Sequence, residues 1–129
     1  MKKPKIKMKV IKEDSGYSAY TNVGDKFIGT QGDTFDELKE MILEAVNFTF
    51  EDEGFTYTLD EIEFVYDLES FFTFYRVINA KALAERIKMN PSLLAQYIKG
   101  IKKPSAAQTR RIVEGVRQIG RELSEVEVV

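Results

Sequence analysis

Two helix starts stand only eleven residues apart, at Asn79 and Asn90, and that spacing governs how the C-terminal third of the chain can fold. Asn79 is a good N-cap, and Ile78 and Leu83 occupy the N′ and N4 positions of a hydrophobic staple. The helix predicted from Ala80 to Lys88 turns Leu83, Ala84 and Ile87 inward. Asn90-Pro91 then opens a second helix, proline being pre-shaped for the first helical position, and Gly100 stops it after Lys99. With only about two residues between them the helices must cross steeply, which is the helix-turn-helix unit. Leu83, Ile87, Met89, Leu94 and Tyr97 are placed to share one core, and Ala84 is small where the helices approach. Ser105 and Gln108 form a capping box for a third helix through Ile112, Val113, Val116 and Ile119.

Charge is arranged in a matching way. The net charge is only −2, yet residues 1–12 hold six lysines and no acid, and residues 13–75 hold sixteen acids against Lys26 and Lys39. Residues 76–121 hold eleven bases against Glu85 and Glu114. An acidic block followed by a basic one predicts two domains with different partners. The chain has no histidine and no cysteine, which removes zinc sites, a histidine general base, a Ser-His-Asp triad and disulfides from consideration. An enzyme is therefore not expected, and no catalytic residue, cofactor or metal is assigned. No apolar run approaches the roughly 20 residues of a membrane span. The N-terminus carries lysines without the apolar stretch of a secretory signal, so no membrane is expected and the cytoplasm is the expected compartment.

The N-terminal part reads as an α+β layer. Ile6, Met8 and Val10 alternate with lysines, the period of a strand buried on one face. Asp14-Ser15-Gly16 is a turn into a second strand from Tyr17 to Thr21, and Phe27 to Gln31 reads as a third. Thr34 and Glu37 make a capping box for a helix with Leu38, Met41, Ile42 and Ala45 on its inner face and Phe48 continuing the stripe. Ile62, Phe64 and Tyr66 alternate as a fourth strand. The order β-β-β-α-β places one helix on one sheet face. Asp67 caps a short helix carrying Leu68, Phe71, Phe72 and Tyr75, and the aromatics Phe64, Tyr66, Phe71, Phe72 and Phe74 are expected to fill a seam between domains. The expected division is residues 1–67, a connecting helix over 68–77, and a helix-turn-helix domain over 78–129.

The stretch LAERIKMNPSLLAQYIKGIKKPSAAQTRRI resembles the helix-turn-helix of the phage-repressor (Xre/Cro-like) family. The family usually has glycine where Lys88 stands, and a left-handed lysine there would cost about 1 kcal/mol relative to glycine. In this arrangement the second helix enters the major groove of duplex DNA and its N-terminal residues reach base edges. Those residues are Asn90, Ser92, Leu93 and Gln96. Gln96 is the preferred reader, since an amide can donate and accept at adenine, while Leu93 suits a thymine methyl. The alternative for Asn90 is that it only caps the helix. Lys99, Lys102, Lys103 and Arg110 are the expected phosphate contacts. Tight binding to an operator by so small a unit calls for a homodimer or higher even oligomer. The third helix with Gly115 and Gly120, and the tail from Glu125 to Val129, are the candidate dimer surfaces.

Across nearly the whole chain the lysine-flanked first strand, D-S-G-Y-S-A-Y and T-Q-G-D-T-F-D-E-L resemble the HicB antitoxin family. The resemblance implies a partial RNase H-like domain joined to a DNA-binding domain. It also implies an antitoxin that neutralises a small basic HicA-like ribonuclease toxin and represses its own operon. The loop from Asn22 to Lys26 lacks the proline-rich stretch that helps contact the toxin in that family. The alternatives are a stand-alone transcriptional regulator, whose first domain senses a ligand or dimerises, and a magnesium nuclease using Asp14 or Asp33.

Overall fold

The structure is a computed structural model and describes residues 2–129. It is α+β, with a four-stranded sheet and five α-helices among the described residues. The chain divides into two compact units, one up to Phe74 and one from Tyr75 onward. No helix among the described residues is long and apolar enough to cross a membrane.

In the first unit the strands are β1 (Ile6–Lys12), β2 (Tyr17–Val23), β3 (Lys26–Gly32) and β4 (Ile62–Tyr66), in the sheet order β3-β2-β1-β4. β1 runs antiparallel to β2 and parallel to β4, with Val10 opposite Ala19 on one side and Tyr66 on the other. The alternation of β1 buries Ile6, Met8 and Val10 and leaves Lys5, Lys7 and Lys9 exposed. The β1–β2 turn requires Gly16. Its φ is +75°, and a Cβ there would sit 2.6 Å from the Gly32 carbonyl oxygen.

Helix α1 (Phe35–Thr49) starts where Thr34 accepts from the Glu37 amide at 3.1 Å. It approaches the sheet closely over Gly32, where a Cβ would lie 2.7 Å from the Leu38 nitrogen. Its buried face is Leu38, Ile42 and Val46, joined beyond the helix by Phe50 and Tyr57. This differs from the expected stripe: Met41 and Phe48 are exposed. At about 100° per residue they fall well to one side of the line through Leu38, Ile42 and Val46, and Phe50 takes the core position that Phe48 was expected to fill.

Helix α2 (Leu68–Phe74) also departs from expectation, because it belongs to the first unit. The β1–β4 ladder ends at Val10 and Tyr66, and the next free donor, the Lys12 amide, bonds the Ser70 hydroxyl at 2.7 Å. Ser70 is buried and Asp67 caps its turn at 2.8 Å. Phe74 lies 4.7 Å from the Tyr17 ring and 4.1 Å from that of Phe35. Of the aromatic residues expected at a seam, Phe64, Tyr66 and Phe74 thus pack against the core of this unit.

The second unit contains α3 (Ala80–Arg86), α4 (Pro91–Ile98) and α5 (Ala106–Glu125). Its core is Leu83 and Ala84 from α3, Met89 from the turn, Leu94 from α4 and Ile112 from α5, with Ile87 and Tyr97 half-buried around them. Gly115 is where α5 meets α3: a Cβ there would fall 2.5 Å from Ile87 Cγ2 and 3.2 Å from Leu83 Cδ1. Its smallness therefore serves packing inside the unit rather than the dimer surface expected of it. Gly120 has nothing within 4 Å of a built Cβ.

Candidate nucleic-acid interface

The α3–α4 turn is a Schellman motif. The Met89 amide bonds the Ala84 carbonyl at 2.8 Å and the Lys88 amide bonds the Glu85 carbonyl at 3.2 Å. Closing it puts Lys88 at φ +58°, the left-handed conformation anticipated for it. A second Schellman pair closes α4, from Gly100 to Tyr97 at 3.2 Å and from Ile101 to Gln96 at 2.9 Å, with glycine at the left-handed position this time. Replacing Lys88 by glycine is expected to stabilise the second unit by about 1 kcal/mol, read as a higher urea midpoint. A lower midpoint would mean that the lysine side chain contributes more than its backbone costs.

Arg111 completes this turn, and no spacing rule had singled it out. From α5 it donates to the Ile87 carbonyl at 2.8 Å and the Lys88 carbonyl at 3.3 Å, and its other nitrogen donates to Gln108 Oε1 at 2.8 Å. The carbonyls that α3 leaves unpaired are thereby satisfied by a cation, which also suits the negative end of that helix. The available signal was its place early in α5, where the helix dipole offers an arginine nothing. Further along, Arg86 holds Glu122 with two hydrogen bonds, at 2.8 and 3.1 Å, tying α3 to the far part of α5. Arg86, with Gln118 behind it, keeps the Glu122 carboxyl below the usual carboxylate range.

Helix α4 begins with Asn90 accepting from the Ser92 amide at 2.8 Å, so the Asn90 oxygen is engaged in capping and only its NH2 group faces outward chemistry. Leu94 is fully buried and pins one face of the helix to the core. On the opposite side Asn90, Ser92, Leu93 and Gln96 line one shallow concavity together with Lys102 from the following turn. The four expected base readers are therefore side by side, and one expected phosphate contact stands next to them. Lys99 and Lys103 are exposed on the segment around that turn. Arg110 is exposed too, but lines a different groove along α5 with Ile87, Glu114 and Arg121.

Gln96 holds an unusual position. Its Oε1 is buried and, among the described residues, has no hydrogen-bond donor. An unpaired buried acceptor costs about 1–3 kcal/mol, so turning this oxygen out to a donor is favourable. Pairing with adenine as expected from the sequence uses both ends of the amide and therefore requires that rotation.

Elsewhere, Asp14, Asp25 and Asp33 are exposed in turns, and no three acidic side chains among the described residues gather closely enough to hold a metal ion. Set against known proteins, the chain matches no family model, no curated protein and no solved structure.

Proposed function

We propose that this chain is an antitoxin-type repressor. α4 reads duplex DNA as the second helix of a helix-turn-helix, and the acidic first unit holds a small basic ribonuclease toxin. The observation that carries the DNA half is the shared surface of Asn90, Ser92, Leu93, Gln96 and Lys102 at the exposed start of α4. A helix is about 10–12 Å across and the major groove about 12 Å wide, so an α4 held from behind by Leu94 can enter with these side chains leading. Two copies on one site supply the affinity that a single unit lacks. The exposed C-terminal half of α5, with Leu123 and the open Gly120, is the surface offered for that pairing.

The toxin half draws support from the acidic composition of the first unit and from its three strands, helix and parallel fourth strand. That order suits the partial RNase H-like domain implied by the HicB resemblance. An acidic surface complements a basic, RNA-binding partner.

The test is binding to the duplex upstream of the chain's own reading frame. Gln96→Ala is expected to cost about 1–3 kcal/mol on the specific site and to relax preference at one base pair. Unchanged affinity and preference would remove α4 as the reading element. Failure to co-purify with a small basic protein encoded beside it would leave a stand-alone regulator, whose first unit senses a ligand or dimerises.

A further inference from the structure

Two exposed faces of the first unit carry large apolar side chains, and their charges are opposite. On the open face of the sheet, Phe27 is 65% exposed and stacks on Tyr20 with ring centroids 6.5 Å apart. Lysine predominates there: Lys7 and Lys9 project from β1, with the exposed Glu63 of β4 beside Lys7, and the Lys9 ammonium lies 5.7 Å from the Tyr20 ring. On α1 the exposed apolar residues are Phe48, at 78%, and Met41, at 37%. Glu37, Met41, Glu44 and Phe48 are spaced four, three and four residues apart, which puts them on one stripe of the helix away from the core. Glu40 flanks the stripe, Glu51 follows it, and all four glutamates are exposed. None of these carboxylates forms an ion pair among the described residues, and Lys39 of the same helix is paired to Asp36 instead.

This arrangement is unfavourable in isolation. Glu37, Glu40 and Glu44 follow at intervals of three and four residues, so like charges face one another along the helix. An aromatic ring set among them gains nothing from water. A partner bringing lysine or arginine relieves the first cost, and an apolar pocket for the ring relieves the second. Aromatic anchors of this kind supply most of the binding energy in protein interfaces.

We propose that the outer face of α1 is where the chain holds its protein partner, with Phe48 as the anchor. The occupant is a small basic protein that presents an apolar pocket rimmed by lysine or arginine. This rests on the antitoxin reading and adds the surface to it. The same partner is repelled by the lysines of the open sheet face, and nucleic acid is repelled by the carboxylates of α1. Beside Phe48 the surface dips into a shallow concavity lined by Asn47, Glu51, Gly54, Phe55 and Thr56, which gives the partner a shape to fit as well as a charge.

The experiment is a titration of the full chain with the small basic protein encoded beside it, using wild type, Phe48→Ser and the double variant Glu40→Lys with Glu44→Lys. Phe48→Ser is expected to weaken the complex roughly thirtyfold or more, and the double charge reversal to abolish it. Both variants should keep wild-type binding to the upstream duplex and a wild-type helical signal, since the altered side chains are exposed. A complex that forms with wild type and keeps its affinity in both variants overturns the α1 face and leaves the antitoxin reading standing. Absence of such a neighbour, or of any complex with wild type, overturns both. An oligomer of the chain alone that Phe48→Ser disperses assigns the face to a second copy and overturns the proposal.

Discussion

Replacing Leu94 by alanine is expected to destabilise the second unit by about 2–5 kcal/mol, the cost of removing a large buried side chain and leaving a cavity. Leu94 is fully buried among Leu83, Ala84, Met89 and Ile112, residues contributed by both neighbouring helices and the turn. A unit of this size buries a small core and has little stability to spare, so the loss is a large fraction of the total. Hydrogen exchange should show α3, α4 and α5 losing protection while the amides of β1 and β2 keep theirs. Equal loss in both units would show that they unfold as one cooperative structure. Leu93→Ala is the matched control: the neighbouring leucine lines the outer concavity, so its removal should alter DNA binding with little change in stability.

The contrast between adjacent leucines also shows what the sequence made legible. Features set by local rules were readable at residue resolution. Thr34, Asn79, Asn90 and Ser105 each cap the helix that follows them, and Ile6, Met8 and Val10 alternate inward along β1. Lys88 at the left-handed position was anticipated through the helix-turn-helix resemblance, where glycine usually stands at that place. What was not legible depends on partners distant in the chain. Phe48 and Phe50 are both apolar at the end of α1, and only the position of the sheet decides that Phe50 goes inside. Helix α2 looks like a connector until Ser70 is seen to take the free amide of Lys12, fifty-eight residues away. Gly115 looks like a surface for a second copy until Ile87 is found against it. That Asn90, Ser92, Leu93 and Gln96 lie together at the start of α4 followed from helical spacing, whereas the inward-turned oxygen of Gln96 and the grip of Arg111 on the turn did not. Side-chain direction at those two places is chosen by the packing of three helices.

Neutralising Lys99, Lys102, Lys103 and Arg110 together, as glutamines, is expected to have the largest effect on DNA binding. Each phosphate contact releases close to one counterion, so the slope of log affinity against log salt should fall by about 0.9 per residue, or roughly 3.6 in all. Near 0.1 M salt each contact is then worth about tenfold, and the four together roughly three to four powers of ten. The loss should be the same on specific and random duplexes, because phosphate carries no sequence. Gln96→Ala should do the reverse, lowering preference at one base pair while leaving the salt slope intact. The four cations are not equivalent in place. Lys102 stands beside the proposed base readers, whereas Arg110 lines the groove along α5 with Arg121. Restoring Lys102 alone should therefore recover slope with α4 as the only docking element, while recovery by Arg110 alone would require the duplex to reach α5 as well. A salt slope that does not move in the quadruple variant would mean that this surface does not lie on a phosphate backbone, and the α4 docking would fall with it.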